Sequence, residues 1–315
     1  MKIVLLDTDT LGKDIDLTQI RQLGDCTEYP TTSADEVEAR IKDAEVVIIN
    51  KVRLNETNLA DARSLKLICV SATGYDNIDT AYCRSAGIAL CNVPAYSTDS
   101  VAQLTLSMAL SLATHLFEYR DFVNSGEYTK SGLANRLSPV YHELSSMTWG
   151  IVGGGNIGSR VAAVASAMGC RVLVCRKKEE KVYESATLDE ICERCDVISL
   201  HVPLNDETRT LINAERIAKM KDSAILINVS RGAVTDEKAL ADAITCGKLG
   251  GLGVDVYSTE PFPADHPFNS LLGRENVCLT PHMAWGSAEA RARCVGVMAK
   301  NITAFFGGEE LNRIV

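Results

Sequence analysis

The chain has 315 residues, 46% of them apolar and 23% charged, an ordinary composition for a soluble globular protein and enough length for two domains. Its net charge of −9 argues against a non-specific nucleic-acid binder. Residues 1–7 read as a strand without a signal-peptide cleavage site. The most apolar long stretch, 101–117, is broken by Gln103, Ser107, Ser111 and His115, so it is predicted as a buried helix and not a membrane span.

In chain order, strand-like runs at 2–7, 45–50, 67–70 and 88–91 alternate with helix-like runs at 16–23, 34–42 and 80–85, which predicts a small parallel α/β unit. Ser97, Thr98, Asp99 and Ser100 offer N-caps for a long helix over 101–119, followed by a polar, irregular arm over 121–146. Six further strand signals follow at 150–152, 172–174, 197–200, 224–228, 251–255 and 277–279, mostly separated by helices, as a doubly wound dinucleotide domain requires. The chain ends in a helix over 287–305. This pattern predicts a discontinuous domain of 1–98 plus 285–315, with a cofactor domain over 99–284 inserted into it. Eleven cysteines, several inside strand-like runs, read as buried thiols of a reducing, cytoplasmic compartment. Cys192-Glu193-Arg194-Cys195 has no second pair at zinc spacing and is read as structural; no metal is predicted.

The organising stretch is Ile151-Val152-Gly153-Gly154-Gly155-Asn156-Ile157-Gly158. Gly153, Gly155 and Gly158 stand at G-x-G-x-x-G spacing between a strand and a helix. The first permits the tight turn, the second the approach of a pyrophosphate, and the third close packing of helix on strand. The helix beginning at Asn156 and Ile157 turns unpaired N–H groups and a positive dipole end toward that pyrophosphate. The residue closing the next strand selects the dinucleotide: an acid there bonds the ribose 2′-OH of NAD, whereas Arg accommodates a 2′-phosphate. Here Cys175 is followed by Arg176, Lys177 and Lys178, with no acid before Glu179. Three cations attract a group of about −1.5 to −2 charge, so the reading is NADP(H). NAD is the alternative, with Glu179 or Glu180 reaching back to the ribose.

Three later segments add chemistry. Arg231, Glu260 and His282 each lie just past the carboxyl end of a predicted strand, the edge at which open α/β sheets bind ligands. One cation, one carboxylate and one imidazole would then converge beside a nicotinamide.

At this point the chain resembles the D-isomer-specific 2-hydroxyacid dehydrogenases. The resemblance is carried by Thr73-Gly74-Tyr75-Asp76-Asn77-Ile78-Asp79, Asn92-Val93-Pro94, the glycine fingerprint, His201-Val202-Pro203-Leu204, Asn228 to Gly232, Glu260-Pro261 and Thr280-Pro281-His282. The stretch from Asn92 to Gln103, and Trp285 after His282, look most like the hydroxypyruvate reductase (glycerate dehydrogenase) branch. Gln103, where many members carry an acid, and the cations from Arg176 depart from the common pattern.

The resemblance implies a Rossmann-type doubly wound sheet inserted into a flavodoxin-like substrate domain. It implies His282 as proton donor, Glu260 as its orienting carboxylate, and Arg231 as holder of the substrate's carboxylate and carbonyl oxygen. It places Thr73 and Gly74 at the substrate carboxylate, Asp255 near the nicotinamide carboxamide, and His201, Val202 and Pro203 near the adenine. Thr208 and Val229 join the cofactor residues. Lys51 and Trp285 join the substrate residues. His115, His142 and His266 receive no functional role. The implied reaction is reduction of a small 2-keto acid, hydroxypyruvate or glyoxylate, to a D-2-hydroxy acid. Alternatives are a reductase of bulkier keto acids such as phenylpyruvate, and a dinucleotide-sensing corepressor-like module. A homodimer is implied as well, through the long helix and the arm after Asp121.

Overall fold

The computed structural model describes residues 1–177 and 182–315. The chain divides into two compact units, Met1–Ser97 with Gly286–Val315, and Thr98–Trp285.

The first unit holds a five-stranded parallel sheet of β1 (Lys2–Leu5), β2 (Asp25–Glu28), β3 (Val46–Ile49), β4 (Leu67–Val70) and β5 (Ala89–Cys91), in the order β2-β1-β3-β4-β5. This is the flavodoxin-like order. All residues of β3 and β4 are buried, because helices cover both faces of a parallel sheet, and their sequences are accordingly continuous apolar runs. Strand β2 was not anticipated. It is a polar edge strand, Asp-Cys-Thr-Glu, and offers no apolar run to read. The terminal helix Ala288–Phe306, capped by Ser287, buries Cys294, Val295, Met298 and Ile302 and packs on β4.

The second unit holds a seven-stranded parallel sheet: β6 (Thr148–Val152), β7 (Arg171–Cys175), the two-residue β8 (Glu184–Ser185), β9 (Val197–Leu200), β10 (Ile225–Asn228), β11 (Gly251–Val254) and β12 (Val277–Leu279). Its order, β12-β11-β10-β9-β6-β7-β8, reverses direction between β6 and β9, the switch point at which such sheets bind dinucleotides. Trp149 is fully buried beneath that point and donates its indole N–H to Ser199 Oγ at 3.0 Å.

The long helix predicted over 101–119 is instead two, Thr98–Ala113 and Leu116–Asn124, bent by 65°. His115 sits at the break with φ +52°, which no helix interior tolerates. A further helix, Glu127–Ser131, lies in what was expected to be an irregular arm. Among the described residues no single helix is long and apolar enough to cross a membrane.

Candidate active site

The fingerprint loop has the geometry its glycines suggest. Gly153 has φ +100° and donates its N–H to Cys175 O at 2.8 Å, while a Cβ at Gly158 would lie 2.0 Å from Gly153 O. Only glycine lets the helix Asn156–Ala167 approach the strand this closely. A Cβ at Gly155 would meet nothing within 4 Å, so space is open over the N-terminus of that helix, where Asn156 and Ile157 begin the first turn. That cradle fits a dinucleotide pyrophosphate.

Arg176 lies over the same loop: a Cβ at Gly154 would come within 2.9 Å of its Cδ and 3.4 Å of its Nε. Lys177 is paired with Glu207, so part of its charge is already answered. Lys178, Glu179 and Glu180 lie outside the described residues. Across the switch point, a Cβ at Gly153 would meet His201 O at 2.6 Å and Val202 Cγ1 at 2.9 Å. Pro203 O accepts from the Thr208 hydroxyl at 2.6 Å, which closes the turn after β9. Val229, directly after β10, is buried. His201 is part-exposed as a residue, yet its Nδ1 is sealed from solvent without a protein partner, and its Nε2 meets Ser199 Oγ at 2.9 Å. Burial lowers its pKa from 6.5 to about 3, so the ring is neutral.

The three chemistry-bearing residues stand on loops leaving neighbouring strands. After β10, buried Asn228 gathers the turn: its Oδ1 accepts from the N–H and O–H of Ser230, and its Nδ2 donates to Arg231 O at 2.9 Å. The Arg231 guanidinium donates from Nη1 to Ser230 O at 2.9 Å. After β11, Glu260 accepts the Tyr257 N–H on Oε1 at 3.0 Å and meets His282 Nδ1 with Oε2 at 2.5 Å. Both side chains keep contact with solvent, His282 at 20% and Glu260 at 26%.

After β12, His282 has φ +52°, and the Trp285 indole donates to its carbonyl at 3.1 Å. Asp255 holds this turn. Its carboxylate accepts from Thr280 Oγ1 and from the N–H groups of Met283 and Ala284, at 2.5–2.9 Å. It is 1% exposed, and burial raises its pKa against those bonds and the nearby His282. The sequence had suggested only a cofactor contact for Asp255; its place as the buried anchor of the His282 turn depends on pairings 25–29 residues away.

In the first unit, Lys51, Thr73 and Gly74 lie just beyond the carboxyl ends of β3 and β4. Buried Asp7 accepts the backbone N–H groups of Asn50, Lys51 and Val52, an anchor that sequence reasoning missed. Thr73 is fixed by its hydroxyl to Val93 O at 2.8 Å, and its carbonyl accepts from Asn92 Nδ2 at 2.7 Å.

The profile of the D-isomer specific 2-hydroxyacid dehydrogenase NAD binding domain matches residues 106–284. The chain is similar to a hydroxypyruvate reductase of Blautia hydrogenotrophica, 35% identical over 99% of both chains. It is also similar to a glycerate dehydrogenase of Methylorubrum extorquens, 34% identical over 99% of this chain and 98% of that one. Among solved structures, D-lactate dehydrogenase from Aquifex aeolicus, complexed with NAD and lactic acid, superposes with a TM-score of 0.87 at 32% identity, covering 98% of this chain and 96% of that one. The cradle, the three strand-end residues and these similarities together place the chain in the D-isomer-specific 2-hydroxyacid dehydrogenase family, as an NAD(P)-dependent oxidoreductase of 2-keto and 2-hydroxy acids.

Proposed function

We propose that this chain is an NADPH-preferring reductase of small 2-keto acids, with hydroxypyruvate or glyoxylate as substrate and a D-2-hydroxy acid as product. The observation that carries the reading is the Glu260–His282 pair, on the loops after β11 and β12, the two strands that follow in sheet order the β10 whose loop bears Arg231. A bound nicotinamide supplies the hydride. His282 gives the proton to the keto oxygen, and Glu260 orients the ring through Nδ1. Arg231 holds the substrate carboxylate and carbonyl oxygen in its planar fork and stabilises the negative charge that develops there.

Trp285, together with Lys51, Thr73 and Gly74 of the first unit, is assigned to substrate binding. Gly153, Gly155, Asn156, Ile157 and Gly158 are assigned to the pyrophosphate, and His201, Val202, Pro203, Thr208, Val229 and Asp255 to the rest of the dinucleotide. Arg176 over Gly154, with Lys177 beside it, supports NADP(H) over NAD(H). A homodimer is part of the proposal. Leu116, Val123, Leu133, Leu137, Val140 and Tyr141 are all more than half exposed on one stretch of chain, an apolar surface suited to a second copy. Sedimentation reads this directly.

The test is the initial rate with hydroxypyruvate, glyoxylate and phenylpyruvate, using NADPH and NADH in parallel. NADPH is expected to be preferred, and Arg176→Asp to cut that preference by about tenfold, the worth of one charge-assisted contact. Faster turnover with NADH overturns the Arg176 assignment and leaves the enzyme. Dinucleotide binding without turnover of any keto acid overturns the reductase reading in favour of a sensing module.

A further inference from the structure

A second glutamate–histidine pair lies in the same unit, tied to the loop that carries Glu260. Glu237 opens the helix Glu237–Thr245, and its carboxylate accepts the Ser258 N–H at 2.8 Å, the Ser258 hydroxyl, and His266 Nε2 at 3.0 Å. His266 Nδ1 accepts the Phe268 N–H at 3.2 Å, so the ring proton sits on Nε2 and is donated to Glu237. The two side chains are only 10% and 5% exposed. Rings of Phe262, Phe268 and Tyr257 surround the imidazole, with centroids 4.9, 5.1 and 6.2 Å away.

We propose that Glu237 and His266 are positioning residues for the reducing centre, holding the loop from Tyr257 to Phe262 so that the Glu260 carboxylate stands against His282 Nδ1. The inference rests on the reading of Glu260 and His282 given above. Ser258 and Phe262 each lie two residues from Glu260, on opposite sides. Glu237 ties the first by two hydrogen bonds, and the His266 ring packs against the second. Between these anchors stands Glu260, whose Oε1 accepts the N–H of Tyr257, just before the first anchor, which leaves Oε2 turned to His282.

Stability alone does not account for the pair, since apolar side chains of similar volume pack in such a place at no greater cost. What an apolar pair cannot supply is a directional hold on the N–H and O–H of one loop residue. Neither side chain is hydrogen-bonded to Glu260 or His282, so the pair acts through the loop.

The decisive variants are Glu237→Gln, which turns an amide N–H toward two donors, and His266→Asn, which retains an acceptor for the Phe268 N–H but withdraws the ring. Each is expected to lower kcat by about tenfold, with the KM for keto acid and the Kd for dinucleotide held within about twofold. In a Glu260→Gln background the same changes are expected to lower kcat by less than about twofold, because the pair they position is already broken. A full tenfold loss in that background, or unchanged kcat in both single variants, overturns the proposal. Ring-nitrogen NMR of His282 supplies a readout free of turnover. Loss of the Nδ1 hydrogen-bond signature in Glu237→Gln, as in Glu260→Gln, supports positioning; its persistence overturns it. If the wild-type chain reduces no keto acid, the reductase reading fails while these spectra still decide the positioning. Ser258→Ala, a change at an exposed loop residue, carries the same spectral test if the buried variants do not fold.

Discussion

Two glutamate–histidine pairs stand in the same unit, joined by one loop, and they differ in what surrounds them. Glu237–His266 is closed: both carboxylate oxygens and both ring nitrogens are engaged by the chain itself, and aromatic rings cover the imidazole. Glu260–His282 is open, with a fifth to a quarter of each side chain facing solvent and its histidine held at a left-handed backbone angle of φ +52°. The residue types are identical. Access separates them, and it fits the proposed roles: proton exchange with a substrate for His282, holding neighbouring groups in place for His266.

The largest expected effect tests the open pair. His282→Ala removes the proposed proton donor, and kcat for keto-acid reduction should fall about 10³-fold, within the range for loss of a general acid. Glu260→Gln leaves the imidazole but not the carboxylate proposed to orient it and should cost less, on the order of 10–100-fold. Dinucleotide affinity, followed by fluorescence titration, should survive both changes. A loss of kcat in His266→Asn as large as that in His282→Ala would erase the distinction between the pairs.

A backbone change sharpens the same comparison without touching any ionisable group. A Cβ at Gly232 would lie 2.0 Å from Tyr257 C, 2.2 Å from Ser258 N and 2.5 Å from Tyr257 Cα, all of them backbone atoms. Gly232→Ala must therefore push on the loop that both pairs share. Overpacking of this kind costs about 1–3 kcal/mol, to be read from the urea midpoint, and kcat should fall with it. Gly155→Ala is the control. Nothing lies within 4 Å of its Cβ, so the fold should be unchanged while the KM for dinucleotide rises.

Much of this architecture was legible because the governing signals are local. Four buried residues in a row, Val46 to Ile49 and again Leu67 to Val70, announce strands covered on both faces. The glycine spacing announces the φ +100° turn at Gly153 and the close helix at Gly158. The loops bearing Arg231, Glu260 and His282 were legible as strand ends. Three features were not. The polar edge strand Asp25–Glu28 has no periodicity to read, and nothing in the residues around His115 announces a left-handed break in a helical run. His266 receives no role from the sequence because its partner lies 29 residues away, on a helix whose packing only the tertiary fold determines. Asp255 escaped as an anchor for the same reason.

A third histidine extends the comparison and gives the smallest expected effect. His201 has a sealed Nδ1 and no carboxylate such as the one Glu237 offers His266, and burial brings its pKa from 6.5 down to about 3. The unfolded chain therefore binds a proton here across the window between these values, and the folded chain does not. The stability that this neutral ring contributes is full above pH 6.5 and is lost as pH falls below it, by about 2 kcal/mol at pH 5. Urea midpoints at pH 7.5 and pH 5 should show that loss in the wild type and a shallower one in His201→Gln. Equal slopes would mean that the imidazolium is accommodated in the fold, and that an unpartnered Nδ1 does not make this site closed.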